Sequence, residues 1–225
     1  MKERTQLEAT YAAHHAGQQR YGFSYRAKER GPQFAAWVGT GKRVLDLGCR
    51  DGLLTQYYVA GNQVTGVDID QQALALGAQR LGIRTLWLDL NCEKLPFEQG
   101  AFDVVVAGEL LEHLVDPALM VGEVQRILVP GGMFIGSVPN SFHWRARLAY
   151  LQGRSIEDPT HLQRFSRSTL LKLLQGFAHI RVVPVGGIGG RLLPTVPGWA
   201  SQPLVRALPT LLANDFLFVS TTRGQ

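Results

Sequence analysis

Only two of the 225 residues are cysteine, Cys49 and Cys92, too few and too far apart for a disulfide framework or a close-spaced metal motif. No stretch reaches the roughly 18 apolar residues that crossing a bilayer requires. The opening residues MKERTQLEATYAAHHAG have none of the apolar centre of a secretory signal. These absences lead to the expectation of a cytoplasmic protein with reduced thiols. Acidic residues are also scarce in one half, since residues 121–225 carry 4 Asp/Glu against 11 Lys/Arg, whereas residues 1–120 carry 14 against 12. The basic half is the place to look for an anionic partner, a nucleic acid or an acidic membrane surface among them, with ordinary surface charge as the competing reading.

What is present is apolar material for one core of ordinary size, 45% of the chain, in alternating strand and helix patterns. Val44–Leu47, Gln63–Val67, Thr85–Leu88, Ala101–Ala107 and Met133–Val138 read as strands. Leu53–Ala60, Gln71–Leu81 and Leu119–Leu128 read as helices between them, the last ending at Pro130–Gly132. Such βαβ repetition with short loops implies an α/β fold, an open, doubly wound and mostly parallel sheet. After Val138 the rhythm breaks into a long connection, 139–165, containing a helical patch at Trp144–Leu151. A helix at Ser168–Leu174 and strands at His179–Val185 and Phe216–Thr221 complete seven strands. The expected organisation is a single domain over 1–225. Residues 1–39 form an N-terminal helical segment, and inserts 139–165 and 186–214, the second an irregular Gly/Pro-rich cover, lie over an acceptor site.

Residues 44–52, VLDLGCRDG, run an apolar strand into a tight glycine turn, and VTGVDID ends a second strand at Asp68, twenty residues after Gly48. An acidic side chain there can accept hydrogen bonds from ribose hydroxyls. A dinucleotide loop would need G-x-G-x-x-G; Arg50 holds the central position and Leu53 to Thr55 follow Gly52, which argues against a pyrophosphate site. Asp103 is the single acidic residue in the Ala101–Ala107 run, and it reads as an architectural residue near the glycine turn.

The turn, Asp68 and the segment LDLNCEKLPFEQGAFDVVVAGELLEHLVDP together resemble the class I S-adenosylmethionine-dependent methyltransferases, especially the small-molecule type with an LPF element and the subset similar to the methionine-biosynthesis W protein. The resemblance covers 40–138 well and 160–185 moderately. It implies S-adenosyl-L-methionine as cofactor and S-adenosyl-L-homocysteine as product. It places Asp46, Gly48, Cys49, Arg50 and Gly52 around the amino-acid part of the cofactor, Asp68 on the ribose, Ile69 and Leu90 against adenine, and Asp89 on the adenine amino group with Asn91 as its rival. Gly108 would line the methionine moiety. Arg50 stands where the family usually has glycine; it either holds the methionine carboxylate or turns outward.

Beyond the fifth strand the polar residues within reach are Asn140, His143, Trp144, His161 and Arg164. The segment THLQRFS resembles one that reaches over the site in the family, so His161 is the preferred acid–base residue, since imidazole titrates near neutral pH. His113, in a polar face with Glu109 and Glu112, is the second catalytic candidate. Neither cysteine is placed for nucleophilic attack, the Asn/Asp-Pro-Pro-aromatic segment of amino-methylating enzymes is absent, and the few carboxylates after residue 120 give no metal cluster. Metal-independent O-methylation of a small-molecule or glycan-type acceptor, anionic or neutral, therefore leads, in a monomer or homodimer. The alternatives are an RNA methyltransferase, supported by Arg145, Arg147, Arg154, Arg164 and Arg167, a non-catalytic cofactor-binding partner, and peripheral membrane contact through Leu192–Leu212.

Overall fold

A computed structural model of the chain describes residues 21–24, 26–91, 94–156, 158–186 and 198–224, with the backbone alone for 198–202. Cys92, Glu157 and most of the 1–39 segment lie outside these residues. Seven strands form one sheet: β1 Arg43–Leu47, β2 Gln63–Asp68, β3 Arg84–Trp87, β4 Phe102–Gly108, β5 Leu128–Pro139, β6 Ala178–Val185 and β7 Asp215–Thr221. Their order is β3-β2-β1-β4-β5-β7-β6. The pairs β1–β2, β2–β3, β1–β4 and β4–β5 are parallel, while β7 runs antiparallel to both neighbours. The seven-stranded, mostly parallel, doubly wound sheet expected from the sequence is the observed fold.

The alternation along each strand sorts side chains onto two faces. Leu45, Leu47, Val105, Ala107, Phe134 and Phe218 meet Val121, Val124, Ile127 and Leu170 on one face. Val44, Val64, Val104, Val106, Ile135 and Leu217 meet Phe34, Val38 and Tyr58 on the other. Because β4 is covered on both sides, Val104 to Ala107 are all 0% exposed, and the VVVA run needs no polar alternate.

Helix α1 is Ala27–Val38, α2 Gln71–Leu81, α3 Pro117–Ile127, α4 Trp144–Leu151, α5 Arg167–Leu173, α6 Gly198–Ala207 and α7 Pro209–Leu212. Their boundaries follow local chemistry. Asp70 accepts from the amide of Ala73 and Gly82 closes α2 at φ 66°; Asp116 caps α3 ahead of Pro117; Ser166 and Thr169 form a reciprocal capping box on α5. No described helix is long and apolar enough to cross a membrane.

Four expectations are corrected. Leu53–Ala60 forms turns and one 3₁₀ turn, Thr55–Tyr57, instead of a helix. Pro130–Gly132 lies within β5 as an irregularity, where β4 advances from Phe102 to Val104 while β5 advances from Leu128 to Met133. The second insert is not wholly irregular, since its described part contains α6 and α7. Asp103 is architectural but stands at the opposite end of the sheet from the glycine turn: its carboxylate accepts from the backbone and guanidinium of Arg43, at the start of β1, and that arginine holds its carboxyl below the usual range.

Candidate functional site

The strand order reverses between β1 and β4, and outside the carboxyl ends of these strands an open α/β sheet leaves a crevice. A cavity of about 720 Å³ occupies it. Asp46, Gly48, Cys49, Arg50, Asp68, Ile69, Asp89, Leu90, Asn91, Gly108, His113 and His161 all line it, so the fold brings together all but one of the eleven cofactor and two catalytic candidates named from the sequence. The exception is Gly52, which is not part of the lining. A Cβ on Gly52 would stand 2.6 Å from Leu81 Cδ1, so this glycine lets the turn pack against α2.

In the turn, the amides of Gly48 and Cys49 donate to the carbonyl of Val67, which ties the end of β1 to β2. Arg50 has φ 50°, the left-handed conformation that glycine adopts at least cost. The arginine thus keeps a glycine-like backbone where the sequence departs from the family pattern. Its Nη1 donates to the carbonyl of Phe23 at 3.4 Å, joining the turn to the segment before α1. Tyr21 Oη donates to Asp70 Oδ2 at 2.9 Å, and the Gly22 amide donates to Asp51 Oδ2 at 2.7 Å, so residues 21–24 strap across this side of the cavity.

Asp68, 5% exposed, is braced by two backbone amides: Arg50 donates to Oδ2 and Asp70 to Oδ1, both at 2.9 Å. Asp89 Oδ1 accepts from the amide of Asn91 at 2.8 Å, the turn-capping arrangement, while its side chain still lines the cavity. Asn91 Oδ1 accepts from the amide of Val115 at 2.7 Å, so its carbonyl oxygen already serves the connection after β4.

Asp46 lies beneath the turn. Its Oδ2 accepts from Thr55 Oγ1 at 2.6 Å and from Tyr58 Oη at 2.7 Å, which holds the irregular 53–58 segment in place. Burial raises its carboxyl from 3.8 to about 6, offset by the two hydroxyls and reinforced by Asp68. A raised carboxyl binds its proton more tightly in the folded state, so this stability is fully present below pH 3.8 and lost as pH rises to about 6. The rise corresponds to about 3 kcal/mol. Asp46→Asn is expected to flatten the loss of stability between pH 4 and 6; parallel urea-unfolding curves for variant and parent would remove the assignment. Burial also pushes the Cys49 thiol well up, which suits a packed thiol and not a nucleophile.

The other half of the cavity is polar in a way the sequence revealed only in part. Glu109 follows Gly108 with φ 55°, a strained conformation of the kind that gathers at functional sites. Its carboxylate meets the guanidinium of Arg30 at 3.4 Å, and Arg30, from α1, donates to Ser137 Oγ at 2.9 Å. Glu112 is 0% exposed, and neither carboxylate oxygen has a hydrogen-bond partner. Burial, then the charge of Glu109, raises its carboxyl well above the usual range. Asp215 is raised to about 8 by burial and by Glu109, against the lowering effect of Arg26 and Arg30.

The insert supplies the far wall. The amides of Leu162 and Gln163 donate to the carbonyl of Glu112 at 2.8 and 2.9 Å, and Asp158 turns the chain by accepting from Thr160. His161 therefore packs edge-on against His113, ring centroids 4.9 Å apart. Of the five residues named beyond the fifth strand, Asn140, His143 and His161 line the cavity. Trp144 and Arg164 do not; nor does Phe142. Trp144 packs under the guanidinium of Arg145, and Arg164 lies over Tyr150. Donor atoms of Glu112, His113 and His161 lie within 4.8 Å of one another, close enough to hold a metal ion among the described residues. Arg30 and Asp215 have no sequence signal, because α1 and β7 reach the site only through the fold.

A family model described as "Methyltransferase domain" matches residues 45–136. A ubiquinone biosynthesis O-methyltransferase from Paraburkholderia phymatum is 31% identical over 177 residues, which cover 74% of this chain and 72% of that protein. A protein of the same name from Bordetella pertussis is 39% identical over 106 residues, spanning 45% of this chain and 44% of its own length. The match to several of these relatives thus covers less than half of their length. Among solved structures, a SAM-dependent methyltransferase from Archaeoglobus fulgidus superposes with a TM-score of 0.66 at 18% identity, over 87% of this chain and 92% of that one, a likeness of fold.

Proposed function

This chain belongs to the class I S-adenosylmethionine-dependent methyltransferases, and from that premise we propose that it transfers a methyl group to a hydroxyl oxygen of a small-molecule acceptor. The observation that carries the reading is that one cavity joins a braced carboxylate at the end of β2 to a polar chamber built from Glu109, Glu112, His113 and His161. S-adenosyl-L-methionine supplies a methyl group on a sulfonium, ready for in-line displacement. The residues present fit that cofactor. Asp68, held by the amides of Arg50 and Asp70, is set to accept both ribose hydroxyls, since each carboxylate oxygen takes more than one hydrogen bond. Between the two candidates for the adenine amino group, Asp89 is favoured, because Asn91 Oδ1 already accepts from Val115. Ile69 and Leu90 offer apolar surface to the ring. Gly108, in the wall assigned to the methionine end, lets Leu54 pack closely against the end of β4, where a Cβ would stand 2.5 Å from Leu54 Cδ2.

The acceptor chamber carries Glu109, Glu112, Asp158 and Asp215 with Arg30 as the cation among its lining. The Arg30 guanidinium is already engaged by Glu109, so a neutral hydroxylated molecule, small aromatic or saccharide-type, fits better than a phosphate or a nucleic acid. The relatives named for O-methylation in ubiquinone biosynthesis support transfer to oxygen. Methylation of a hydroxyl releases a proton, and His161 and His113, which line the same cavity, are the groups assigned to take it up.

His161→Ala is expected to lower turnover by about 100-fold while leaving cofactor affinity within about twofold. Single-turnover rates with a panel of phenolic and sugar acceptors, beside calorimetric cofactor titration, test the assignment. Equal rates for variant and parent across the basic pH range would remove His161 from the reaction.

A further inference from the structure

The strap of residues 21–24 is held by the same two residues that brace Asp68. Arg50 donates its backbone amide to Asp68 Oδ2 and its side-chain Nη1 to the carbonyl of Phe23. Asp70 donates its amide to Asp68 Oδ1, and its own Oδ2 accepts from Tyr21 Oη. Between them the Gly22 amide donates to Asp51 Oδ2, on a residue that is 1% exposed. Three consecutive residues are thus tied to the two loops, after β1 and β2, that are assigned to the cofactor. Burial, then Asp70, pushes the Tyr21 phenol up to about 12, so its hydroxyl keeps the proton that it donates. Phe23 and Ser24 line the cavity, and Phe23 is also 55% exposed, which puts it at the rim between cavity and solvent. Past the strap the chain is fixed: Arg26 meets Asp215 at 3.5 Å, and Arg30, Phe34 and Val38 of α1 are buried. Any opening therefore takes place ahead of Arg26, whose φ of 52° marks a bend before the helix.

We propose that Tyr21, Gly22 and Phe23 form a clasp over the cofactor, with Arg50, Asp51 and Asp70 as its catch, and that this clasp sets the rates of S-adenosyl-L-methionine entry and S-adenosyl-L-homocysteine release. The inference rests on the placement of the cofactor against Asp68. It gives Arg50 a task other than holding the methionine carboxylate: the side chain positions the strap, while the left-handed backbone keeps the turn. The catch contacts all run between groups of the protein, so they hold the strap with the cavity filled or empty. Such contacts slow entry and exit alike and leave the affinity nearly unchanged, whereas a group that touches the ligand slows exit alone. A strap that lifts also pulls on the two residues whose amides orient Asp68, so release begins at the clasp.

The test is stopped-flow mixing of the full-length protein with S-adenosyl-L-homocysteine, followed by tryptophan fluorescence. Trp87 is a reporter beside the cavity, its Nε1 donating to the carbonyl of Ile69. Tyr21→Phe removes one hydroxyl and keeps the ring; Arg50→Gly removes the side chain and suits the left-handed backbone. Each is expected to raise association and release rates together by about 10-fold, the effect of one hydrogen bond to a charged group, with affinity held within about twofold. The same increases are expected for 5′-methylthioadenosine, which has no amino-acid part. Circular dichroism establishes that the variants are folded. Rates in Tyr21→Phe equal to those of the parent overturn the clasp. So does an Arg50→Gly variant that releases S-adenosyl-L-homocysteine faster but 5′-methylthioadenosine no faster, since the arginine is then a ligand of the carboxylate. An Asp68→Ala variant that keeps full affinity overturns the cofactor placement and the clasp with it, whereas affinity lost there, beside unaltered rates in Tyr21→Phe, fails the clasp alone.

Discussion

Replacing Asp68 by alanine is expected to lower affinity for S-adenosyl-L-methionine by at least about 100-fold. A hydrogen bond to a charged group contributes about 1.5–3 kcal/mol, and two ribose hydroxyls sharing this carboxylate make the loss about 3–6 kcal/mol, or two to four orders of magnitude. A second effect runs the same way. The amides of Arg50 and Asp70 both donate to Asp68, so the variant leaves two backbone donors of the binding loop without their acceptor and loosens the left-handed turn at Arg50. Asp68→Asn separates the two contributions, because its single amide oxygen can brace one backbone amide but cannot serve both amides and both hydroxyls. An ordering of parent, Asn and Ala in calorimetric affinity is expected. Affinity unchanged in Asp68→Ala would place ribose recognition elsewhere in the cavity.

The side of the cavity assigned to the cofactor was legible in the sequence as a cluster of residues because its parts are local. Gly48, Asp68, Asp89 and Gly108 each stand at or just beyond the carboxyl end of a strand, and alternation or an unbroken apolar run marks the strands themselves. The helix Gln71–Leu81 was legible to the residue, its Asp cap and closing Gly82 being short-range signals. The Leu53–Ala60 segment shows where such reasoning stops. Its apolar spacing suits a helix, but Thr55 and Tyr58 both turn their hydroxyls onto Asp46, nine and twelve residues away, and this tertiary contact overrides the spacing. Asp103 was mislocated for a related reason: an acidic residue in a strand announces a hydrogen bond but not which end of the sheet supplies it. The acceptor half depends on contacts across 50 to more than 100 residues, such as Leu162 and Gln163 on the carbonyl of Glu112 and Arg30 on Ser137. No local pattern encodes those.

Arg30→Met is expected to destabilise the protein by about 3–5 kcal/mol, the usual cost of leaving a buried charge without its partner. Arg30 is 3% exposed, and its guanidinium serves Glu109 and Ser137 directly while lowering the carboxyls of Glu112 and Asp215 through space. Methionine fills similar volume, so the change removes charge more than packing. The loss should also depend on pH. Asp215, raised to about 8, contributes stability that is complete below its unfolded value near 3.8 and is lost as pH climbs through about 8. Without Arg30 its folded value rises further, because one of the charges lowering it has gone, so the decline in the variant continues past the point where the parent levels off. Urea unfolding at pH 6, 7.5 and 9 is therefore expected to show a gap between parent and variant that widens towards pH 9. A constant gap would mean that Arg30 stabilises the chamber through its contact with Ser137 and its packing, with no share in holding the three carboxyl groups together.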